Sequence, residues 1–137
     1  MRTIVALATA FLLSASAAFA NEALVKVELN KLETDGANCQ SYLVVENGTA
    51  DPFDKLVLDL VMFDADGIIA RRLAVDIAPI DAGKLSVKVF AIQSLACEAI
   101  GRILVNGVLG CEIAGASKEG CLDLVQTGSR ASVELIN

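Results

Sequence analysis

Apolar and polar residues alternate over short stretches along most of the chain. Val25, Val27 and Leu29 alternate with Lys26 and Glu28, a period of two that places one face of a strand in a core and the other in water. Turn-forming sequences such as Asn-Gly, Asp-Gly and Asp-Ala-Gly separate these stretches. The pattern predicts about seven strands. They cover residues 25–30, 39–47, 56–63, 68–77, 85–91 and 103–109, with a final strand in two pieces at 122–125 and 133–136.

The arrangement of these strands indicates the fold class. The stretch 56–63 is apolar on both faces apart from Asp59, as expected of a strand covered by a second sheet. Short strands joined by turns, without internal repeats or a long helical pattern, predict an all-β fold. We expect a two-sheet sandwich of the immunoglobulin or fibronectin III kind, with a small β-barrel as the alternative. The absence of tryptophan argues against a true immunoglobulin domain, whose core usually packs one.

The first twenty residues have the composition of a secretory signal peptide. Arg2 supplies a positive start, residues 4–13 an apolar segment, and Ala18 and Ala20 the small residues of a cleavage site. We expect residues 1–20 to be removed, which leaves residues 21–137 as a single β-sandwich domain without a membrane span. The expected location is the periplasm or the outside of the cell.

All four cysteines follow the predicted cleavage site, and an even number in an exported protein predicts two disulfides. We expect the second strand to pair with the fifth and the third with the sixth, so that Cys39 and Cys97 lie at one end of the domain. Cys111 and Cys121 then close a loop at the opposite end. The predicted pairs are therefore Cys39–Cys97 and Cys111–Cys121. A zinc site would need closely spaced cysteine pairs, whereas the shortest gap here has nine intervening residues.

Charge and composition exclude several classes of function. The formal charge is −6, and loss of Arg2 leaves ten basic against seventeen acidic residues, or −7, which disfavours nucleic acid as a partner. The absence of histidine excludes serine–histidine and cysteine–histidine catalysis. The segment 64–67, Asp-Ala-Asp-Gly, lacks the spacing of a calcium loop and is interpreted as a hairpin turn. We therefore predict no enzymatic activity, no cofactor and no metal site.

Parts of the sequence resemble known families. Residues 42–47, followed by 58–67 with its aromatic-Asp-x-x-Gly ending, resemble the strand-loop-strand pattern of FxLYD-like bacterial immunoglobulin-type domains. With residues 95–97 and the loop from Cys111 to Cys121 included, the whole chain resembles the small exported proteins of alphaproteobacteria that carry a Tat-signal label. This second resemblance implies a periplasmic setting and no activity, and it transfers no functional residues.

A core, two disulfides and exposed loops without catalytic groups predict a non-catalytic binding domain whose partner is another periplasmic or envelope protein. The alternatives are a secreted inhibitor of a basic enzyme and a surface-assembly subunit that accepts a donor strand. We expect the loop between Cys111 and Cys121 to recognise the partner, because its disulfide lowers the entropy cost of ordering it. Its candidate residues are Glu112, Ile113, Lys118 and Glu119. Alternatively, the bridge only tethers the last strand to the preceding one.

Overall fold

The computed structural model describes residues 23–137, and all regular structure in this range consists of strands and two short 3₁₀ helices. The predicted signal peptide lies outside the described residues. The strands are β1 (Val25–Asp35), β2 (Asn38–Asn47), β3 (Phe53–Phe63), β4 (Ile69–Asp76), β5 (Leu85–Ile92), β6 (Arg102–Ile113), β7 (Ala116–Ser117), β8 (Val125–Ser129) and β9 (Glu134–Ile136). The 3₁₀ helices span Cys97–Ala99 and Cys121–Leu124. Among the described residues, no helix has the length and apolar character needed to cross a membrane.

The strands form two sheets that enclose one core. The first sheet has the order β5-β2-β1-β8, and the second has the order β4-β3-β6-β7 with β9 also beside β6. The β1–β8 and β6–β9 pairs are parallel, and the remaining pairs are antiparallel. The predicted all-β, two-sheet sandwich is confirmed. So are the two predicted strand pairings, which are β2 with β5 and β3 with β6.

The described chain has nine strands rather than about seven. The additional strands come from its last quarter, where β7 is a two-residue return and the final predicted strand becomes β8 and β9. Residues 122–124, predicted as strand, instead belong to the second 3₁₀ helix. Gly120 precedes this helix with a φ of 74°, a left-handed conformation that glycine adopts without strain and that turns the chain away from β7.

The core is built from inward-facing side chains at alternate positions. Leu56, Leu58, Leu60 and Met62 of β3 are buried and share one apolar cluster with residues from both sheets. Because the side-chain period of a strand is two, this burial also determines which residues of β3 point outward. Full burial of one such side chain stabilises the fold by about 1.5–3 kcal/mol. The burial of these core residues therefore determines which side chains lie on the outer face of the sheet.

Both predicted disulfides are present and account for all four cysteines. Cys39 and Cys97 are bonded with their Cα atoms 4.9 Å apart, and Cys111 and Cys121 with theirs 6.5 Å apart. The first bridge links the start of β2 to the 3₁₀ helix before β6. The second links β6 to the 3₁₀ helix before β8.

The two lateral sides of the sandwich are formed by different strands. On one side lie the edge strands β4 and β5, where Nη2 of Arg71 donates a hydrogen bond of 3.1 Å to the carbonyl of Ser94 just beyond β5. On the other side β8 of the first sheet contacts β9 of the second. The Cys111–Cys121 bridge belongs to this second side.

Candidate functional site

The segment between Cys111 and Cys121 begins as a β-hairpin. Glu112 and Ile113 pair with Ser117 and Ala116, and the turn between them has left-handed φ values of 49° at Ala114 and 79° at Gly115. These values at two successive residues are those of a two-residue hairpin turn. The tip of the hairpin is also held from outside, and its geometry is therefore fixed before any partner binds.

Two hydrogen bonds hold the hairpin tip against the start of β3. The backbone N–H of Ala114 donates to the carbonyl of Pro52 at 3.0 Å, and that of Gly115 donates to Oδ2 of Asp54 at 2.6 Å. After the hairpin, the N–H of Lys118 donates to the carbonyl of Cys111 at 3.0 Å. The disulfide and these bonds together position the chain from Lys118 onward alongside β6.

An open groove of about 430 Å³ lies between β6 and this returning chain. Its walls are the side of β6 next to the disulfide and the segment that leads into the second 3₁₀ helix. The residues lining the groove are Val108, Leu109, Gly110, Cys111, Lys118, Glu119, Gly120, Cys121 and Leu122. Apolar groups thus line most of the groove, and Lys118 and Glu119 add one charge of each sign.

Leu109 is the most exposed apolar residue of the groove, at 62%. Two irregularities in the pairing of β6 with β3 produce this exposure. The register shifts between Val57 and Leu58 leave Leu109 without a partner on β3, and a second shift beside Asp59 leaves Asn106 unpaired. Each extra residue in a bulge re-aims the side chains that follow. An unbroken period of two along β6 would instead place Leu109 on the same face as the buried Ile103 and Val105.

The groove adjoins a stretch of β6 with a free backbone edge. β9 pairs with residues 102–104 of β6 and β7 pairs with residues 112–113. Within the described chain, no strand covers residues 105–110 on that side of β6. Unpaired N–H and C=O groups along an edge are a template for another strand. The groove therefore combines a row of backbone hydrogen-bonding groups with an exposed leucine.

The four loop residues singled out from the sequence divide into two pairs. Lys118 and Glu119 line the groove and are exposed. Glu112 and Ile113 are the last residues of β6, both half-buried, and Ile113 packs against the core. Ile113 is thus part of the scaffold. The apolar side chains at the groove are instead those of Leu109 and Leu122, which were not predicted from the sequence.

A second polar cluster lies on the outer face of the β4-β3-β6 sheet. Asp59 of β3 is buried and accepts hydrogen bonds from Nε and Nη2 of Arg72, both at 2.8 Å, and from Nδ2 of Asn106 at 2.8 Å. These donors hold the pKa of Asp59 well below its usual range, at about 2, with the Arg72 bonds the larger cause. A carboxylate so fully bonded joins three neighbouring strands and is a poor proton acceptor near neutral pH. We interpret the cluster as structural.

We expect the Asp59 cluster to make stability pH-dependent in acid. Since the folded pKa is depressed below the ordinary value of 3.8, the stabilisation is complete above about pH 5 and is lost as the pH falls toward 2. Allowing for solvent screening at the exposed Arg72, its size is about 1–2 kcal/mol. Urea unfolding of the wild type and of Asp59→Asn, measured between pH 2 and pH 7, tests this. The variant should lose less stability on acidification, whereas parallel curves for the two proteins would contradict the assignment.

The segment 64–67 forms the hairpin turn between β3 and β4. Oδ1 of Asp64 accepts backbone hydrogen bonds from Asp66 and Ile68, both at 2.9 Å. Gly67 has a φ of 79°, as such a turn requires. Within the described residues, no group of three or more carboxylate or thiol side chains is arranged to hold a metal ion.

Fold and groove together define a disulfide-bonded β-sandwich of two sheets with an open, partly apolar edge. No family model and no curated protein matches the sequence. Among solved structures, the chain is similar to IrmA from Escherichia coli, at 13% identity and a TM-score of 0.59, over 76% of this chain and 90% of that one. A likeness at this level of identity shows that the two proteins share a fold.

Proposed function

We propose that this chain is an exported, non-catalytic binding domain that recognises a segment of another periplasmic or envelope protein in the groove beside the Cys111–Cys121 hairpin. The observation that carries the proposal is Leu109, which stands exposed on the unpaired part of β6. An exposed apolar side chain beside free backbone groups is the arrangement to which an extended peptide adds as a further strand. The partner therefore contributes an extended segment with an apolar side chain for the groove.

The walls of the groove are suited to this role because they are fixed in advance. The disulfide and the bonds from the hairpin tip to Pro52 and Asp54 hold the returning chain beside β6. A preorganised site loses little conformational entropy when its partner binds. Support for export comes from the signal-like first twenty residues and the two disulfides, which form and persist in oxidising compartments.

A secreted inhibitor is the second form of this proposal. The mature chain carries ten basic and seventeen acidic residues, a charge of −7. Such a charge accelerates the approach of a basic partner. Because salt screens this attraction, binding should weaken as the salt concentration rises. A captured partner that is a basic hydrolase, and that loses activity when bound, distinguishes inhibition from simple attachment.

The groove is tested by substituting Leu109. The oxidised mature protein is used to capture partners from a periplasmic and envelope extract, in parallel with Leu109→Glu. A glutamate at this position would be desolvated against the apolar side chain of the partner and would no longer fill the apolar contact, so we expect capture to fall by at least about tenfold. Amide hydrogen exchange of residues 105–110 should slow when the partner binds to the wild type.

A matched control separates the groove from general surface effects. Ile69→Glu introduces the same charge at a residue that is also 62% exposed but lies on β4, at the opposite side of the sandwich. It should capture the partner as the wild type does. Equal capture by wild type and both variants, with unchanged melting temperatures, would show that the groove is not the binding site.

A further inference from the structure

The edge strand β5 carries three apolar side chains on its outer, solvent-exposed face. Leu85, Val87 and Val89 point outward and are 66%, 58% and 47% exposed. The inward positions between them hold Ser86 and Lys88, both half-buried. Strands at a sheet edge usually show the reverse pattern, with polar groups outward. A row of exposed apolar side chains on one strand indicates an interaction surface.

The row continues onto the neighbouring strand. Val44 of β2 lies opposite Val87, and Tyr42 lies opposite Val89, and both are half-buried. Outside this patch, the same face carries the charged residues of β1. The apolar area therefore covers β5, including its outer edge, and β2, and it ends at β1.

The backbone of the same residues faces the free edge. The N–H of Asn47 donates to the carbonyl of Lys84 at 2.9 Å, which makes this a hydrogen-bonded pair of the β2–β5 ladder. In an antiparallel ladder, bonded and non-bonded pairs alternate along the strand. By this alternation, the backbone groups of Leu85, Val87 and Val89 do not hydrogen-bond to β2. Their N–H and C=O groups point away from the sheet, toward an edge that no strand of the described chain covers.

We propose that a second copy of this chain pairs with β5 through β5, antiparallel, with Val87 of each copy on the two-fold axis. This register sets Val87 opposite Val87 and Leu85 opposite Val89, so that the three exposed side chains of each copy pack beside those of the other on one face of the joined sheet. The first sheets of the two copies then form one continuous sheet. Self-complementary contact about a two-fold axis is the commonest form of association between like chains.

Charge selects this register over its two neighbours. A two-fold axis at Ser86 would set Lys84 of one copy opposite Lys88 of the other, and an axis at Lys88 would set the two Lys88 side chains opposite each other. Like charges directly opposite destabilise a strand pair. With the axis at Val87, Lys88 lies opposite Ser86, and no two lysines face each other.

The dimer leaves the groove beside the Cys111–Cys121 hairpin accessible. β5 lies at one lateral side of the sandwich, and the β6 edge with the hairpin lies at the other. The two proposals rest on different residues, so either can fail without the other. A dimer of this form would present two grooves at its far ends.

Sedimentation velocity of the oxidised mature protein tests the association. A standard interface buries about 800 Å² on each partner, and the pairing of two strands alone buries less. We therefore expect a weak dimer with a dissociation constant of tens of micromolar. A series from about 1 µM to 1 mM therefore spans the transition. Val87→Lys places two ammonium groups opposite each other on the axis and should weaken the dimer by at least about a hundredfold. Ile69→Lys, at a position on β4 that is 62% exposed against 58% for Val87, should leave it unchanged.

Cysteine cross-linking tests the register. The Cα atoms of a hydrogen-bonded antiparallel pair are about 5.5 Å apart, within the range a disulfide spans. Val87→Cys alone should form a covalent dimer on mild oxidation. Leu85→Cys and Val89→Cys should each remain uncross-linked alone and form a mixed dimer together.

Three results would overturn the proposal. One is a monomer at every concentration. This result would mean that the inward Lys88, whose Nζ donates to the carbonyl of Pro79 at 3.4 Å, prevents another strand from pairing with β5. Another is a dimer unaffected by Val87→Lys but broken by Leu109→Glu, which would place self-association at the groove. The third is cross-linking of Leu85→Cys alone, which would exclude the proposed register.

Discussion

Replacing Cys39 and Cys97 together with alanine is expected to lower the free energy of unfolding by about 4 kcal/mol. The two residues are separated by 58 positions, so their bond removes a large loop-closure entropy from the unfolded chain. Removing Cys111 and Cys121 opens a separation of only 10 positions, for which the same relation gives about 3 kcal/mol. Cys39 is also fully buried in the core, which adds the cost of a small cavity to the first pair.

Urea unfolding of both double variants followed by far-ultraviolet circular dichroism measures the difference, since the chain has no tryptophan and a single tyrosine. Double variants are preferable to single ones because no free thiol remains to form a wrong bond. The Cys111/Cys121 variant should fold and serve as the matched control. If it loses as much stability as the Cys39/Cys97 variant, or more, loop length does not determine the contribution of these bridges.

The strand pairings and the disulfides were predictable because they depend on regular features of the sequence. Alternation located six of the strands, and the assumed pairing of the second with the fifth and the third with the sixth brought Cys39 near Cys97. These inferences require only that one face of each strand be buried. They are insensitive to errors of one or two residues at the strand ends.

The groove was only partly predictable because bulges break the alternation. A glycine inside a strand, such as Gly107, is a signal of an irregularity, and the structure has one beside it, where Asn106 is left unpaired. The shift between Val57 and Leu58, which leaves Leu109 unpaired, has no comparable signal in the sequence. The Asp59 cluster was missed for a different reason. Asp59, Arg72 and Asn106 lie on three strands far apart in sequence, and only the register brings them together.

Asn47 is a further residue whose role becomes visible only in the folded chain, and Asn47→Ala is expected to lower stability by about 3 kcal/mol. Its side chain is buried, and Nδ2 donates to the carbonyls of Asp51 at 2.9 Å and Ile80 at 3.2 Å. Its Oδ1 accepts from the backbone and hydroxyl of Thr49, at 3.0 and 2.7 Å. Alanine would remove all four of these bonds at once, each with a net contribution of about 0.5–1.5 kcal/mol, while the carbonyl of Ile80 still accepts from the N–H of Phe53.

Thr49→Val provides the graded control, because it removes only the hydroxyl bonds of this network and leaves the carboxamide in place. We expect it to cost about 1 kcal/mol, and a larger loss for Thr49→Val than for Asn47→Ala in urea unfolding would contradict the role given to Asn47.

The network also bears on the proposed dimer. Asn47 bonds through its backbone to Lys84 and Gly83, so it anchors the start of β5. Asn47→Ala keeps these backbone bonds but loses the side-chain bond to the carbonyl of Ile80, which holds the segment that leads into β5. It should therefore weaken self-association as well as the fold, whereas the Cys111/Cys121 variant, altered at the other side, should dimerise as the wild type does.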